Sequence, residues 1–233
     1  MSNASRRSIH RRHALAIAAA AVLGPLSATP AAAAVCTWDT TSGNWSAITN
    51  WLGCVTGNGN PVQTPGSNDT ANIGATGVVT IDSAQAVQSL NNAGQINLDA
   101  FTLTLAGGGT VNSGTINVGS ATAAALQVNA GHNINNAGGV INVANGSVLN
   151  QFGSTISGGT INTTGTGALM AFSSGNNVLD NVKLNGLLDV QTNANARERI
   201  ANGLTLDGSA NVGNGGILSF DSSLTSGGSQ TIA

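Results

Sequence analysis

Along the C-terminal two thirds of the chain, apolar and polar residues alternate in short bursts such as Leu103-Thr104-Leu105 and Ile116-Asn117-Val118. Alternation of period two marks a strand with one buried face. Between the bursts sit Gly, Asn, Ser and Asp, which tolerate the left-handed conformations of sharp turns. Four segments share Gly-x-Ile-Asn, beginning at Gly94, Gly114, Gly139 and Gly159, spaced by 20, 25 and 20 residues. An aliphatic residue followed by Asn or Ser precedes each: Leu90-Asn91, Val111-Asn112, Ile134-Asn135 and Ile156-Ser157. In a second repeat, Val182–Gly186 aligns with Leu204–Gly208 at a spacing of 22 residues, and Asp189-Val190 with Asn211-Val212.

Short strands recurring every 20 to 25 residues predict a solenoid. The leucine-rich repeat has a similar period, but its Leu and Asn signature is absent. The expected fold is all-β, a right-handed parallel β-helix with about 4.8 Å of rise per coil. Like residues then lie above one another. Ile96, Ile116, Ile141 and Ile161 should form an inward stack, and Asn97, Asn117, Asn142 and Asn162 an Asn ladder. The 25-residue step predicts about five extra residues in one loop of one coil.

Composition agrees with stacked strands and tight turns. Charged residues are 7% and hydrophobic residues 41% of the 233, with 32 Gly and no Tyr. Low charge with high hydrophobicity excludes a disordered polar chain. Gly without a three-residue period excludes collagen.

The N-terminus reads as a signal peptide over residues 1–34. Arg6, Arg7, Arg11 and Arg12 precede an apolar run from Ala14 to Leu23, and Ala31 to Ala34 supplies small residues for cleavage. The run is too short to span a bilayer. Ser5-Arg6-Arg7-Ser8-Ile9 partly resembles a twin-arginine signal, leaving Sec and twin-arginine export both open. The mature chain keeps three basic residues against nine acids, a net charge of −6. With no basic patch, nucleic acid and anionic membranes are not expected partners, and no membrane insertion is expected. Beyond the leader, residues 35–77 hold all three Trp and both Cys, and residues 78–233 hold the repeats.

Cys36 and Cys54 are an even pair in an exported chain, which reads as a disulfide. Closing a loop of 18 residues contributes roughly 3 kcal/mol. Trp38, Trp45 and Trp51 have two readings. They are a candidate carbohydrate-stacking platform, or an apolar plug over the first coil; the plug is favoured, giving an N-terminal Trp/disulfide cap.

Trp38-x6-Trp45-Ser46-x4-Trp51 is followed by Pro65-Gly66-x-x-Asp69-x-Ala71-x-Ile73 and Val79-Thr80-Ile81-Asp82. With the later Val182–Gly186 and Asn202–Leu206 segments, these resemble the β-helical passenger regions of autotransporter-like and adhesin-like bacterial surface proteins. The resemblance implies a secreted or cell-surface protein, with the Gram-negative envelope as its setting and glycans or proteins of a host or cell surface as partners. The chain ends at Gln230-Thr231-Ile232-Ala233 without a translocator barrel, so the expectation is an N-terminal fragment of a longer protein or a truncated reading frame.

The one charge cluster is Asp180, Lys183, Asp189, Arg197, Glu198 and Arg199. It is the candidate charged groove of a polysaccharide-cleaving β-helix, the alternative to a non-catalytic stalk or adhesin; a Trp-based carbohydrate-binding module is the third reading. Asp180 and Lys183, three apart, should point to opposite faces of a strand. In the 22-residue register Asp180 stacks on Asn202, Lys183 on Thr205 and Asp189 on Asn211. Glu198 falls in an expected loop between its arginines. Such clusters are more often solvated surface than chemistry. Gly131-His132-Asn133 lacks the paired acids of a pectin hydrolase. Asp99, Asp207 and Asp221 do not make the nonapeptide calcium pattern. No catalytic residue, metal site or cofactor is expected.

Overall fold

The computed structural model describes residues 33–54 and 63–220, all within one compact unit, Ala31–Ala233. The expected leader up to residue 32, Asp221 and the terminal residues 230–233 lie outside the described residues.

The N-terminal turn comprises β1 (Val35–Trp38), β2 (Ser42–Asn44) and, after one 3-10 turn at Ile48–Asn50, β3 (Trp51–Leu52). Three-stranded coils follow. The first is β4 (Thr70–Ile73), β5 (Val78–Ile81) and β6 (Gln85–Val87). The next is β7 (Ser89–Asn92), β8 (Gln95–Leu98) and β9 (Thr102–Leu105). Then come β10 (Gly109–Asn112), β11 (Thr115–Val118) and β12 (Ala125–Val128), and β13 (Asn133–Asn135), β14 (Val140–Val143) and β15 (Val148–Gln151). A further coil holds β16 (Thr155–Ser157), β17 (Thr160–Thr163) and β18 (Ala168–Ala171). The last two coils are continuous bent strands, β19 (Val178–Val190) and β20 (Arg197–Val212), and β21 (Ile217–Phe220) lies on β20. This is an all-β parallel solenoid of about seven turns.

Its strands form three parallel faces. β1, β4, β7, β10, β13 and β16 stack on the first, β2, β5, β8, β11, β14 and β17 on the second, and β6, β9, β12, β15 and β18 on the third. β19 and β20 run through all three. The change of texture at Gly77/Val78 falls inside a coil, between β4 and β5.

Alternation sets which residues turn inward. On the second face Ile96, Ile116, Ile141 and Ile161 pair in sequence, and all four are fully buried. Each such side chain contributes about 1.5–3 kcal/mol relative to exposure. Their outward neighbours form the expected ladder. Asn117 Nδ2 donates to Asn97 Oδ1, Asn142 to Asn117 and Asn162 to Asn142, each at 2.8 Å, and Asn185 donates to Asn162 at 2.7 Å. The glycine of Gly-x-Ile-Asn has a packing cause. A Cβ on Gly114 would collide with the carbonyl oxygen of Gly94, and one on Gly94 with that of Gly77. Successive corners touch through bare backbone.

Three expectations are corrected. The five extra residues of the long step are not in one loop. The connection between the second and third faces has six residues, 119–124, against three, 99–101, one coil earlier; with Asn136 set opposite Asn112, the other two extras fall one each in the remaining connections. Val111 does not align with Leu90. Val111 pairs with Asn91 and faces outward, 50% exposed, while Thr110 takes the inward place beside Leu90. The corner Asn sets this register: Asn92 pairs with Asn112, and each is two residues before a Gly. Finally, Asp180 and Lys183 both face outward. Asn181, at φ 52°, turns the corner between them, so they belong to different faces.

Candidate functional site

Cys36 and Cys54 are joined and both buried. The bond ties β1 to the segment after β3, which pairs antiparallel with β1 through Trp38 and Trp51. Trp51 packs edge-on against Trp38 at 5.0 Å and against Trp45 at 4.8 Å, and its Nε1 donates to the Trp45 carbonyl at 2.8 Å. Trp38, Trp45 and Trp51 are 6%, 0% and 5% exposed. No indole face is open for a sugar to stack on, so the cluster sits as a plug.

The acids of the N-terminal motif act as staples. Asp69 Oδ1 accepts from the Ala34 N–H at 2.7 Å and Oδ2 from the Gly66 N–H at 2.8 Å, which explains Pro-Gly-x-x-Asp. Asp82 accepts from the Ser46 N–H at 3.1 Å and from the Ser46 hydroxyl. Partial burial works against the charged Asp82 carboxylate, but these bonds outweigh it and hold its pKa below the ordinary value.

The five charged-groove candidates do not share a cleft. Asp180 and Arg199 lie on the first face, Arg197 at the corner that leads into it, Lys183 on the second face and Asp189 on the third. Lys183 and Asp189 stack on Thr205 and Asn211 as expected, whereas Asp180 pairs in register with Ala201. Asp180 still meets Asn202, whose Nδ2 donates to Oδ1 at 2.7 Å. Asp189 is 8% exposed and closes a local turn, accepting from the Gln191 and Thr192 N–H groups at 2.8 Å and the Thr192 hydroxyl at 2.5 Å. Desolvation opposes its charge, yet these bonds lower its pKa.

Glu198 is in β20, not in a loop, and points inward with no exposed surface. It belongs to a buried polar column that the sequence reading missed. Gly109, Asn133, Thr155, Val178 and Arg199 pair in succession, so the residues just before them, His132, Ser154, Asn177 and Glu198 above Gly108, line one inner corner. His132 and Thr110 bond at 2.9 Å through Nε2. Asn177 is saturated: Oδ1 accepts from the Gly153 N–H at 2.5 Å, and Nδ2 donates to the Phe172 and Arg197 carbonyls. Among the described residues, His132 Nδ1, Ser154 Oγ and both Glu198 oxygens make no full hydrogen bond. Burial pushes the Glu198 carboxyl well above its ordinary value, only partly opposed by the Arg199 N–H, and pushes His132 down to about 4. The signal was present: Ala196, Glu198 and Ile200 keep the period of two, with the arginines between them facing out.

A second missed feature is an open groove where the first face turns toward the second. Its first part, about 450 Å³, follows Thr37, Asn72, Asn91 and Val111 along the axis, edged by the corner residues Ala93 and Ser113. A second hollow, about 340 Å³, continues along the same column at Asn135, Ser157 and Asp180. Asn91 Nδ2 donates to Asn72 Oδ1 at 2.8 Å.

No protein-family model matches the chain, and neither a curated protein nor a solved structure matches it.

Proposed function

We propose that the protein is an exported, non-catalytic β-solenoid of the bacterial cell surface or medium, working as a stalk or adhesive surface in the manner of the passenger regions it resembles. The observation that carries this reading is the axial repetition of small neutral polar side chains on a stiff stack of coils, with Asn97 to Asn185 as its longest run. Such a surface gives many weak contacts, and display of many copies supplies strength. The disulfide suits an oxidising compartment. The dispersal of Asp180, Lys183 and Asp189 over three faces favours this over polysaccharide hydrolysis, which canonically pairs two carboxyls across one cleft.

The test uses purified chain in two assays. Beads coated densely with it should adhere to bacterial or host cells while the free chain binds them weakly. Incubation with neutral and acidic polysaccharides should release no new sugar ends. Turnover that an Asp180→Ala, Asp189→Ala, Arg197→Ala variant loses would replace this reading with an enzymatic one.

A further inference from the structure

We propose that the groove along the first face binds an uncharged, extended glycan chain. This rests on the adhesive reading and names its ligand class.

The lining chemistry selects the ligand. Among the described residues of the groove there is no Lys or Arg, and the one charge is Asp180 at its far end. An acidic polymer would meet no counter-charge and one repulsive carboxylate. The part from Thr37 to Val111 carries no charge at all. Nor does the groove offer the Trp, Tyr or Arg anchors on which protein interfaces depend.

What it offers is an apolar floor with amide edges. Val111 is an aliphatic residue at an outward position whose neighbours in the column are Asn91 and Asn135, and it is half exposed. Ala93 beside it adds a methyl surface and leaves the backbone corner low. An uncharged sugar has C–H faces for such a floor and hydroxyls for the amides. The Asn91–Asn72 bond uses one position on each amide and leaves the others free to pair. The column repeats with the strand spacing, about 4.8 Å, close to the length of one pyranose residue in an extended chain. Successive coils therefore present equivalent groups to successive sugars.

The experiment is calorimetric titration of the purified chain with hexasaccharides of β-linked glucose, xylose and mannose, and with acidic hexagalacturonate. At least one neutral oligosaccharide should bind, and more tightly than hexagalacturonate. Val111→Asp and Asn91→Ala should each weaken it about tenfold, with circular dichroism unchanged since both side chains are exposed, and with at most the small drop in thermal midpoint that losing the Asn91–Asn72 bond brings. Phe101→Ser, at the corner between the second and third faces, should leave it unaltered. The inference is overturned by no neutral binding at millimolar concentration, by preference for the acidic chain, or by binding that survives both groove substitutions. If bead adhesion persists in any of those cases, the adhesive reading stands and the groove assignment alone fails; if adhesion also fails, both fall.

Discussion

The second face and the buried corner column share one geometry and differ in what they stack. On the second face, from β8 to β17, each coil repeats its neighbour: Ile on Ile inside, Asn on Asn outside. An amide carries both donor and acceptor, so a column of identical amides satisfies itself at the strand spacing except at its end, where Asn185 Oδ1 has no partner among the described residues. The corner column stacks unlike groups, His132, Ser154, Asn177 and Glu198. Their donors and acceptors do not match from rung to rung, and among the described residues His132 Nδ1, Ser154 Oγ and the Glu198 oxygens make no full hydrogen bond. Burial is equally complete in the Ile stack and the corner column, yet an unsatisfied polar group costs about 1–3 kcal/mol where an aliphatic one contributes. In a solenoid, polarity is cheap when it repeats and expensive when it varies.

The difference is measurable by substitution. Ile116→Ala, which opens a cavity between two stacked Ile, should cost the most, about 2–5 kcal/mol, read as a lower denaturant midpoint. Next is the pH response of the corner. The folded pKa of His132, about 4, lies below the unfolded value of 6.5, so the unfolded chain takes up a proton first as pH falls. The contribution of His132 is complete above 6.5 and declines as pH drops toward 4, by about 2–3 kcal/mol, read as the difference between the wild type and His132→Gln so that the opposite response of Glu198 cancels. Denaturant titrations should show His132→Gln lacking that decline. Asn142→Ala removes two rungs of the amide ladder and should cost about 1–2 kcal/mol by the same titration. Ser154→Ala removes a buried hydroxyl whose oxygen has no partner among the described residues, and should change the midpoint least, by less than about 1 kcal/mol.

Sequence made the second face legible because Gly, Ile and Asn stay at fixed local offsets within each corner and strand. The first face was harder. Its register follows the corner pair Asn92 and Asn112, and the conspicuous aliphatic Val111 suggested an alignment one residue out of place. Glu198 was hidden by its charge, because Arg-Glu-Arg suggests a solvated loop although the period of two runs through it from Ala196 to Ile200. The Trp and Cys residues declared a cap through composition and compartment. The groove left no local signal, because its hollow comes from small corner residues, Ala93, Ser113 and Gly158, far apart in sequence.

If like-on-like stacking is what makes polar groups tolerable here, then an unlike carboxyl in the same core must be costly once the chain can ionise it. The folded pKa of Glu198 is raised above the unfolded value of 4.5. Its folded form is therefore fully competitive below 4.5 and loses ground as pH rises through that value toward the folded pKa. The direct measurement is the unfolding free energy of the wild type and Glu198→Leu from about pH 4 to about pH 8. The stacking rule predicts that Glu198→Leu is the more stable at neutral pH and that its advantage over the wild type grows from pH 4 upward. Equal stabilities at every pH, or a loss in Glu198→Leu at neutral pH, would contradict it.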